Sequence, residues 1–229
     1  MLVAGFPTGS FAANCYLVAT GAGAPCVIID PGQDAVPAIA AALAEHRLRP
    51  AAVLLTHGHL DHMLSVLPVC EENGVPAYVH PADRAQLSDP LGALPADWAA
   101  ALGLAGVTFR EPDDVRELVD GASVDVAGLS FRVEHAPGHT AGSVVFRTAD
   151  GGPDGEPMMF AGDLVFAGSI GRTDLYGGDD DAMRASLARV VLGSADETIV
   201  LPGHGPRTTI GRERSSNPHL RGLSVGAAQ

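Results

Sequence analysis

The chain has 229 residues, 46% of them hydrophobic, and a formal net charge of −13 from 27 acidic and 14 basic residues, every basic one an arginine. That length and apolar share suit a soluble globular protein with a sizeable core, and there is no run of ~18 apolar residues to span a membrane. So acidic a surface, with its arginines scattered, repels phosphate backbones and argues against a nucleic-acid partner. The opening residues lack the basic segment of a secretory signal. Cys15, Cys26 and Cys70 have no C-x-x-C spacing. Both points read as a cytoplasmic protein whose cysteines are small buried hydrophobes.

Strand-like alternation is present from the first residues, and "NCYLVAT" (14–20) and "PCVIIDPG" (25–32) predict two strands around a Gly-rich turn. Asp34 is placed to cap a helix over 35–48, with Pro37 in its first turn. "AAVLLT" (51–56) is a short buried strand that feeds "THGHLDH". A helix over 63–74 ends at Gly74, with Pro68 counting against it, and "PAYVH" (76–80) is a strand. Residues 81–115 signal only a short helix from Pro81 and a long connection. Residues 122–137 predict a hairpin around Gly128. Strands at 143–148 and 157–163 follow, split by the loop "ADGGPDGE". A helix at 181–192 comes next, its acidic start "GGDDDAM" favourable at a helix N-terminus. A strand at 197–203 and a helix at 207–215 complete the chain. Two groups of strands, each followed by helices, predict mixed sheets covered by helices on the outside, in a single domain over 1–229.

Four of these strands stop at metal-capable side chains. "AAVLLT" runs into His57, His59, Asp61 and His62; the others lead to His139, Asp163 and His204. Imidazoles and carboxylates suit Zn, Fe or Mn ions. One tetrahedral ion needs three or four ligands, so seven predict two ions roughly 3.5–4 Å apart that share a carboxylate and a hydroxide. His57 and His59, two apart in an extended loop, share a side and can grip one ion; Asp61 and His62 reach the other.

"THGHLDH", "GHT", "GD" and "GHG", in this order and spacing, resemble the metallo-β-lactamase superfamily over nearly the whole chain. More narrowly, "SIGRTDL" followed by "GGD" resembles the glyoxalase II-like, or hydroxyacylglutathione hydrolase, group in its short bacterial form. The resemblance implies an αββα sandwich with metals at one edge. It implies that His57, His59 and His139 hold a first metal, that Asp61, His62 and His204 hold a second, and that Asp163 bridges them, with Asp61 and Asp163 as the catalytic carboxylates. Two divalent ions follow, Zn2+ first, with Fe or Mn accepted by the same ligands. The implied reaction is hydrolysis of a small-molecule thioester, such as S-lactoylglutathione or the thioester of a related thiol carrier, by the metal-bridging hydroxide. Asp30 either braces the histidine loop or caps a turn. Arg172 and Tyr176 are candidates to hold substrate, Arg172 competing with an ion pair to Asp174.

The chain lacks lysine and ends 25 residues after His204, which leaves the thiol carrier open between glutathione, mycothiol and others. The alternatives are a mononuclear-iron persulfide dioxygenase, which also resembles the chain around "GRTD", and another hydrolase of the superfamily such as a lactonase. His46, His80, His135 and His219 are read as surface or supporting residues. Oligomeric state is left open.

Overall fold

The computed structural model describes residues 1–92, 96–104, 106–148, 151–152 and 155–224. Among these, twelve strands form two six-stranded sheets. The first contains β1 (Leu2–Thr8), β2 (Ala13–Ala19), β3 (Pro25–Ile29), β4 (Arg49–Leu54), β5 (Ala77–Val79) and β6 (Val115–Glu117), side by side in chain order. Its first two junctions are antiparallel and the rest parallel. The second contains β7 (Ser123–Val126), β8 (Leu129–His135), β9 (Val144–Thr148), β10 (Met158–Gly162), β11 (Ile199–Pro202) and β12 (Thr208–Thr209), with β10 and β11 parallel. The helices are α1 (Val36–His46), α2 (Leu60–Met63), α3 (Val66–Asn73), α4 (Ala96–Ala101), α5 (Asp180–Ser186) and α6 (Ile210–Ser216).

The period-two alternation of the strands sorts their side chains into three layers. In β2, Tyr16 and Val18 point between the sheets, while Cys15, Leu17 and Ala19 point out under the helices. β10 does the same, with Met158 and Phe160 inside and Met159 and Ala161 outside. The middle layer gathers Ile29, Leu54, Phe131, Phe146 and Phe160. One outer layer packs Ile39 of α1 and Val66 and Val69 of α3 on the first sheet; the other packs Met183 of α5 and Ile210 of α6 on the second. Strands buried on both faces must be apolar at every position, which is why these runs show no polar face. The result is an αββα sandwich, and no helix among the described residues is long and apolar enough to cross a membrane.

Several boundaries differ from expectation. The alternation at the start is a full strand, β1, paired with β2. Asp34 does not cap α1: it sits at φ +55 and the cap position is Ala35, whose N–H donates instead to the Ser65 hydroxyl at 3.1 Å. The helix expected over 63–74 is two helices, α2 and α3, that break at Leu64 and Ser65. Pro68 falls in the first turn of α3, where no intrahelical N–H is lost, and Gly74 ends the helix at φ +64. Residues 81–87 form a 3-10 turn, and neither α4 within the expected long connection nor β6, which begins at its last residue, was expected from the sequence. The helix expected at 181–192 is α5, capped by the Asp179 carboxylate, followed by a π-helical turn over Leu187–Val191. The expected loop "ADGGPDGE" lies partly outside the described residues, as do 93–95 and 105 of the long connection.

Phe131 is fully buried in the middle layer, its ring 6.5 Å from Phe146 and 6.3 Å from Phe160. Phe131→Ala should lower unfolding free energy by about 3–5 kcal/mol in urea titration, whereas Val119→Ala, at a 62% exposed position, should change it by less than about 0.5 kcal/mol.

Candidate metal centre

β3 and β4 run parallel, so their C-terminal ends emerge at the same edge. Asp30 follows β3, strained into φ +50 and 2% exposed. Its carboxylate accepts the Thr56 N–H at 2.8 Å and the Thr56 hydroxyl at 2.6 Å beyond the end of β4. Thr56 has spent its one proton there, so the 3.0 Å contact between its oxygen and His57 Nδ1 requires Nδ1–H to donate. The other nitrogen of His57, Nε2, is left as a buried lone pair with no hydrogen-bond partner. His62 Nδ1 donates to the same Asp30 carboxylate at 3.1 Å, which turns its Nε2 toward the cluster. Asp30 therefore braces both histidines, with its oxygens already engaged.

The remaining side chains arrive in the same manner. His59 ends the extended stretch and opens α2, which carries Asp61 and His62 on a helical turn rather than in a loop. His139 follows β8 and donates Nδ1–H to the Arg172 carbonyl at 2.7 Å. Asp163 immediately follows β10. His204 follows β11 and donates Nδ1–H to the Phe11 carbonyl at 3.2 Å.

The free atoms then converge. One group joins His57, His59 and His139; another joins Asp61, His62 and His204, the candidate ligand atoms of each within 4.8 Å of one another. His59 Nδ1 and His139 Nε2 are 2.8 Å apart, and the Nε2 atoms of His62 and His204 are 3.2 Å apart. Asp163 lies between the groups: Oδ2 is 3.4 Å from His139 Nε2 and 3.6 Å from His204 Nε2, and Oδ1 is 3.5 Å from His62 Nε2.

Protonation separates the two groups: the first is ready for a cation as it stands, while the carboxylates around the second hold protons on His62 and His204 that a cation would displace. Burial first, then neighbouring histidines, pushes His57 below the ordinary imidazole range. His59 and His139 fall to about 4 with burial as the leading cause, so all three imidazoles are neutral donors at pH 7. Burial also opposes charge on His62, but Asp61, Asp163 and Asp30 outweigh it and raise the ring to about 10. Burial raises Asp163. Asp61 is held low by His62 and His204 against its burial. Neutral imidazole nitrogens converging on one point, an orphaned His57 Nε2 and an orphaned Asp163 Oδ1 are the features divalent cations satisfy. The donor set fits Zn, Fe or Mn alike.

Asp83 went unnoticed in the sequence. It is 1% exposed on the 3-10 turn after β5, and its carboxylate accepts the Gly58 N–H at 2.9 Å, the Thr140 hydroxyl at 2.6 Å and the Gly142 N–H at 2.8 Å. It thus ties the His57–His59 stretch to the His139 loop. Only an Asp following Pro81 marked it in the sequence. Of the substrate candidates, Arg172 lines the cavity over the cluster, but its guanidinium holds Asp174 at 2.6 and 2.8 Å. Tyr176 is 72% exposed and does not line that cavity, while its neighbour Leu175 does. His80 and His135 stack on each other at 4.2 Å away from the cluster, and all three cysteines are buried and free. The cavity measures about 350 Å³ and is walled by Phe11, Leu60, Trp98, Phe166, Ile170 and Leu175.

A sequence model described as the metallo-beta-lactamase superfamily matches residues 8–204. An uncharacterized protein of Mycobacterium tuberculosis is 48% identical over 225 residues, 98% of this chain and 100% of its own. The hydroxyacylglutathione hydrolase GloC of Haemophilus influenzae is 33% identical over 218 residues, covering 95% and 97%. Among solved structures, the BLEG-1 B3 metallo-beta-lactamase superposes with a TM-score of 0.83 at 37% identity, covering 96% of this chain and 100% of its own. TTHA1623 in a di-iron-bound form gives 0.77 at 39% identity, covering 94% and 98%. ETHE1 from Myxococcus xanthus gives 0.74 at 25%, covering 97% and 85%.

Two substitutions test the geometry. A Cβ on Gly203 would stand 2.1 Å from Asp163 Oδ1 and 2.8 Å from His62 Cε1. Gly203→Ala should therefore cut bound metal per chain, read by elemental analysis, in protein that still gives wild-type far-UV circular dichroism. Asp83→Ala leaves the buried Gly58 and Gly142 N–H groups unpaired, each worth about 1–3 kcal/mol, and leaves the Thr140 hydroxyl with Ser143 alone. It should destabilise the protein by at least about 2 kcal/mol in urea unfolding and weaken metal retention against a chelator.

Proposed function

The chain belongs to the metallo-beta-lactamase superfamily, and within it we propose a dinuclear metal-dependent hydrolase that cleaves the thioester of a small molecule. The carrying observation is Asp163, whose two oxygens lie within 3.4–3.6 Å of nitrogens from both ligand groups. A carboxylate so placed suits a bridge between two ions. His57, His59 and His139 would hold one, and Asp61, His62 and His204 the other. The solved structure of TTHA1623 in a di-iron-bound form supports two ions in a chain of this kind; Zn2+ is the proposed ion here. When bound, such ions lower the pKa of water and polarise a carbonyl oxygen.

The protein's own groups prepare that chemistry. Asp30, acting directly on His62 and through Thr56 on His57, fixes which nitrogen faces the centre, so no ring has to reorient. The Arg172 and Phe11 carbonyls do the same for His139 and His204. Phe166, Ile170 and Leu60 line the approach to the cluster and would shield the scissile bond from bulk water once a substrate fills the cavity.

Hydrolysis adds the water oxygen to the acyl carbon and breaks the C–S bond, and the proton goes to the departing sulfur or to solvent. A thiol's pKa of about 8.5 lets sulfur leave without a strong acid. That matters because the acids lining the cavity, Asp61 and Asp163, both belong to the proposed ligand set. The similarity to GloC, a hydroxyacylglutathione hydrolase by name, points to the same bond.

The test is a panel on protein of measured metal content: S-lactoylglutathione, thioesters of other thiol carriers, a lactone and a β-lactam. Thioester cleavage should be lost on chelation and restored by Zn2+, and Asp163→Ala should lower kcat/KM by about 100-fold or more. Cleavage of only the lactone or the β-lactam would overturn the thioester assignment. Oxygen uptake with glutathione persulfide, in protein that holds one iron per chain, would assign the dioxygenase instead.

A further inference from the structure

We propose that the cavity over the histidine–aspartate cluster selects an uncharged, apolar acyl group, aliphatic or aromatic, and rejects acyl groups that end in a carboxylate. The proposal rests on the thioester-hydrolase reading and specifies the substrate class of the same site. Phe11, in the turn between β1 and β2, and Trp98, on α4, stack with centroids 6.5 Å apart and planes 9° from parallel. Both line the cavity, and Phe11 keeps 38% of its surface exposed. An aromatic left open to water at the mouth of a concave site is poised to gain from covering. Leu60, Phe166, Ile170 and Leu175 continue the wall down to the cluster.

Charge points the same way. Among the described residues that line the cavity, the one arginine, Arg172, is already held by Asp174 at two points. The chain has no lysine, and no arginine stands between Arg84 and Arg110, the stretch that supplies Trp98. A carboxylate carried to the far end of an acyl chain, away from the ligand cluster, would rest on aromatic rings, shed its water and meet no unpaired cationic side chain among the described residues of the wall. Thiol carriers are polar along their length, and their hydrogen-bonding groups would have to lie beside Gln86 or in water rather than against the apolar wall. The acyl group is the one part of such a thioester that the wall can cover.

The sole tryptophan of the chain is Trp98, so intrinsic fluorescence reads occupancy of the cavity without any need for turnover. The experiment uses metal-loaded full-length protein and thioesters of one neutral thiol, N-acetylcysteamine, with acetyl, hexanoyl, phenylacetyl and adipoyl groups. Each buried methylene is worth roughly fourfold. Hexanoyl and phenylacetyl should therefore exceed acetyl in kcat/KM by at least about tenfold, and adipoyl should fall at least about tenfold below hexanoyl. Phe11→Ala should narrow the hexanoyl-to-acetyl ratio by about threefold or more. A non-cleavable hexyl thioether should shift Trp98 emission saturably, and its carboxylate-ended counterpart should not at the same concentrations.

The proposal is overturned if adipoyl is bound and cleaved as well as hexanoyl, or if hexanoyl gains nothing over acetyl. Cleavage of every thioester without preference sinks this inference and leaves the hydrolase reading intact. Selective quenching by the hexyl analogue with no thioester cleaved does the reverse.

Discussion

The centre depends on one buried carboxylate. Asp30 lies almost wholly out of water, where an unpaired negative charge would be costly. It persists because the Thr56 backbone, the Thr56 hydroxyl and the His62 ring all donate to it. Those same bonds join the end of β3 to the end of β4 and decide the orientation of two imidazoles. Structural satisfaction and preparation for metal are thus a single set of hydrogen bonds. Remove the carboxylate and the tautomers of His57 and His62 lose their reason, even with every proposed ligand still present.

The two-sheet architecture does the gathering. β3 and β4 in one sheet, and β10 and β11 in the other, are parallel neighbours, so each pair delivers its following residues to one edge. Packing through the middle layer of Phe131, Phe146, Phe160, Ile29 and Leu54 sets the edges against each other. A bridge from Ala13 to His204, with the Asn14 N–H bonded to the Gly203 carbonyl at 2.7 Å, closes the junction between the sheets beside the cluster. Asp83 closes it from the other side. The centre therefore inherits the rigidity of the sandwich, and its close approaches leave no room for a methyl group at Gly203.

Much of this was legible in the residues themselves. Strands buried on both faces announce themselves as unbroken apolar runs, and every proposed ligand but His139 stands just beyond such a run or on the short turn of helix after it; His139 follows the alternating strand β8. Helix limits were less legible. Asp34 has the side chain of a good cap, but the chain turns into positive φ there and α1 starts with no side-chain cap; the Ala35 N–H meets the Ser65 hydroxyl, 30 residues away from it. β6 is three residues long, too short to print a period. Tyr176 and Leu175 could not be told apart as wall or rim, because which of two adjacent side chains faces inward on an irregular segment depends on what packs against it.

By itself the sequence determined the donor chemistry and its placement at strand ends: neutral imidazoles, carboxylates and small flanking residues are properties of the chain. Only the tertiary structure decided which nitrogen of each ring faces the centre, that Asp163 stands between two ligand groups and that Asp83 ties two of their loops together; between the two roles the sequence offered for Arg172, it shows the ion pair with Asp174. Most of these are matters of partners tens to more than a hundred residues distant, as with His62 and Asp30, His139 and Arg172, and His204 and Phe11. A ring's orientation is set by what its far nitrogen touches, and no local pattern of residues records that contact.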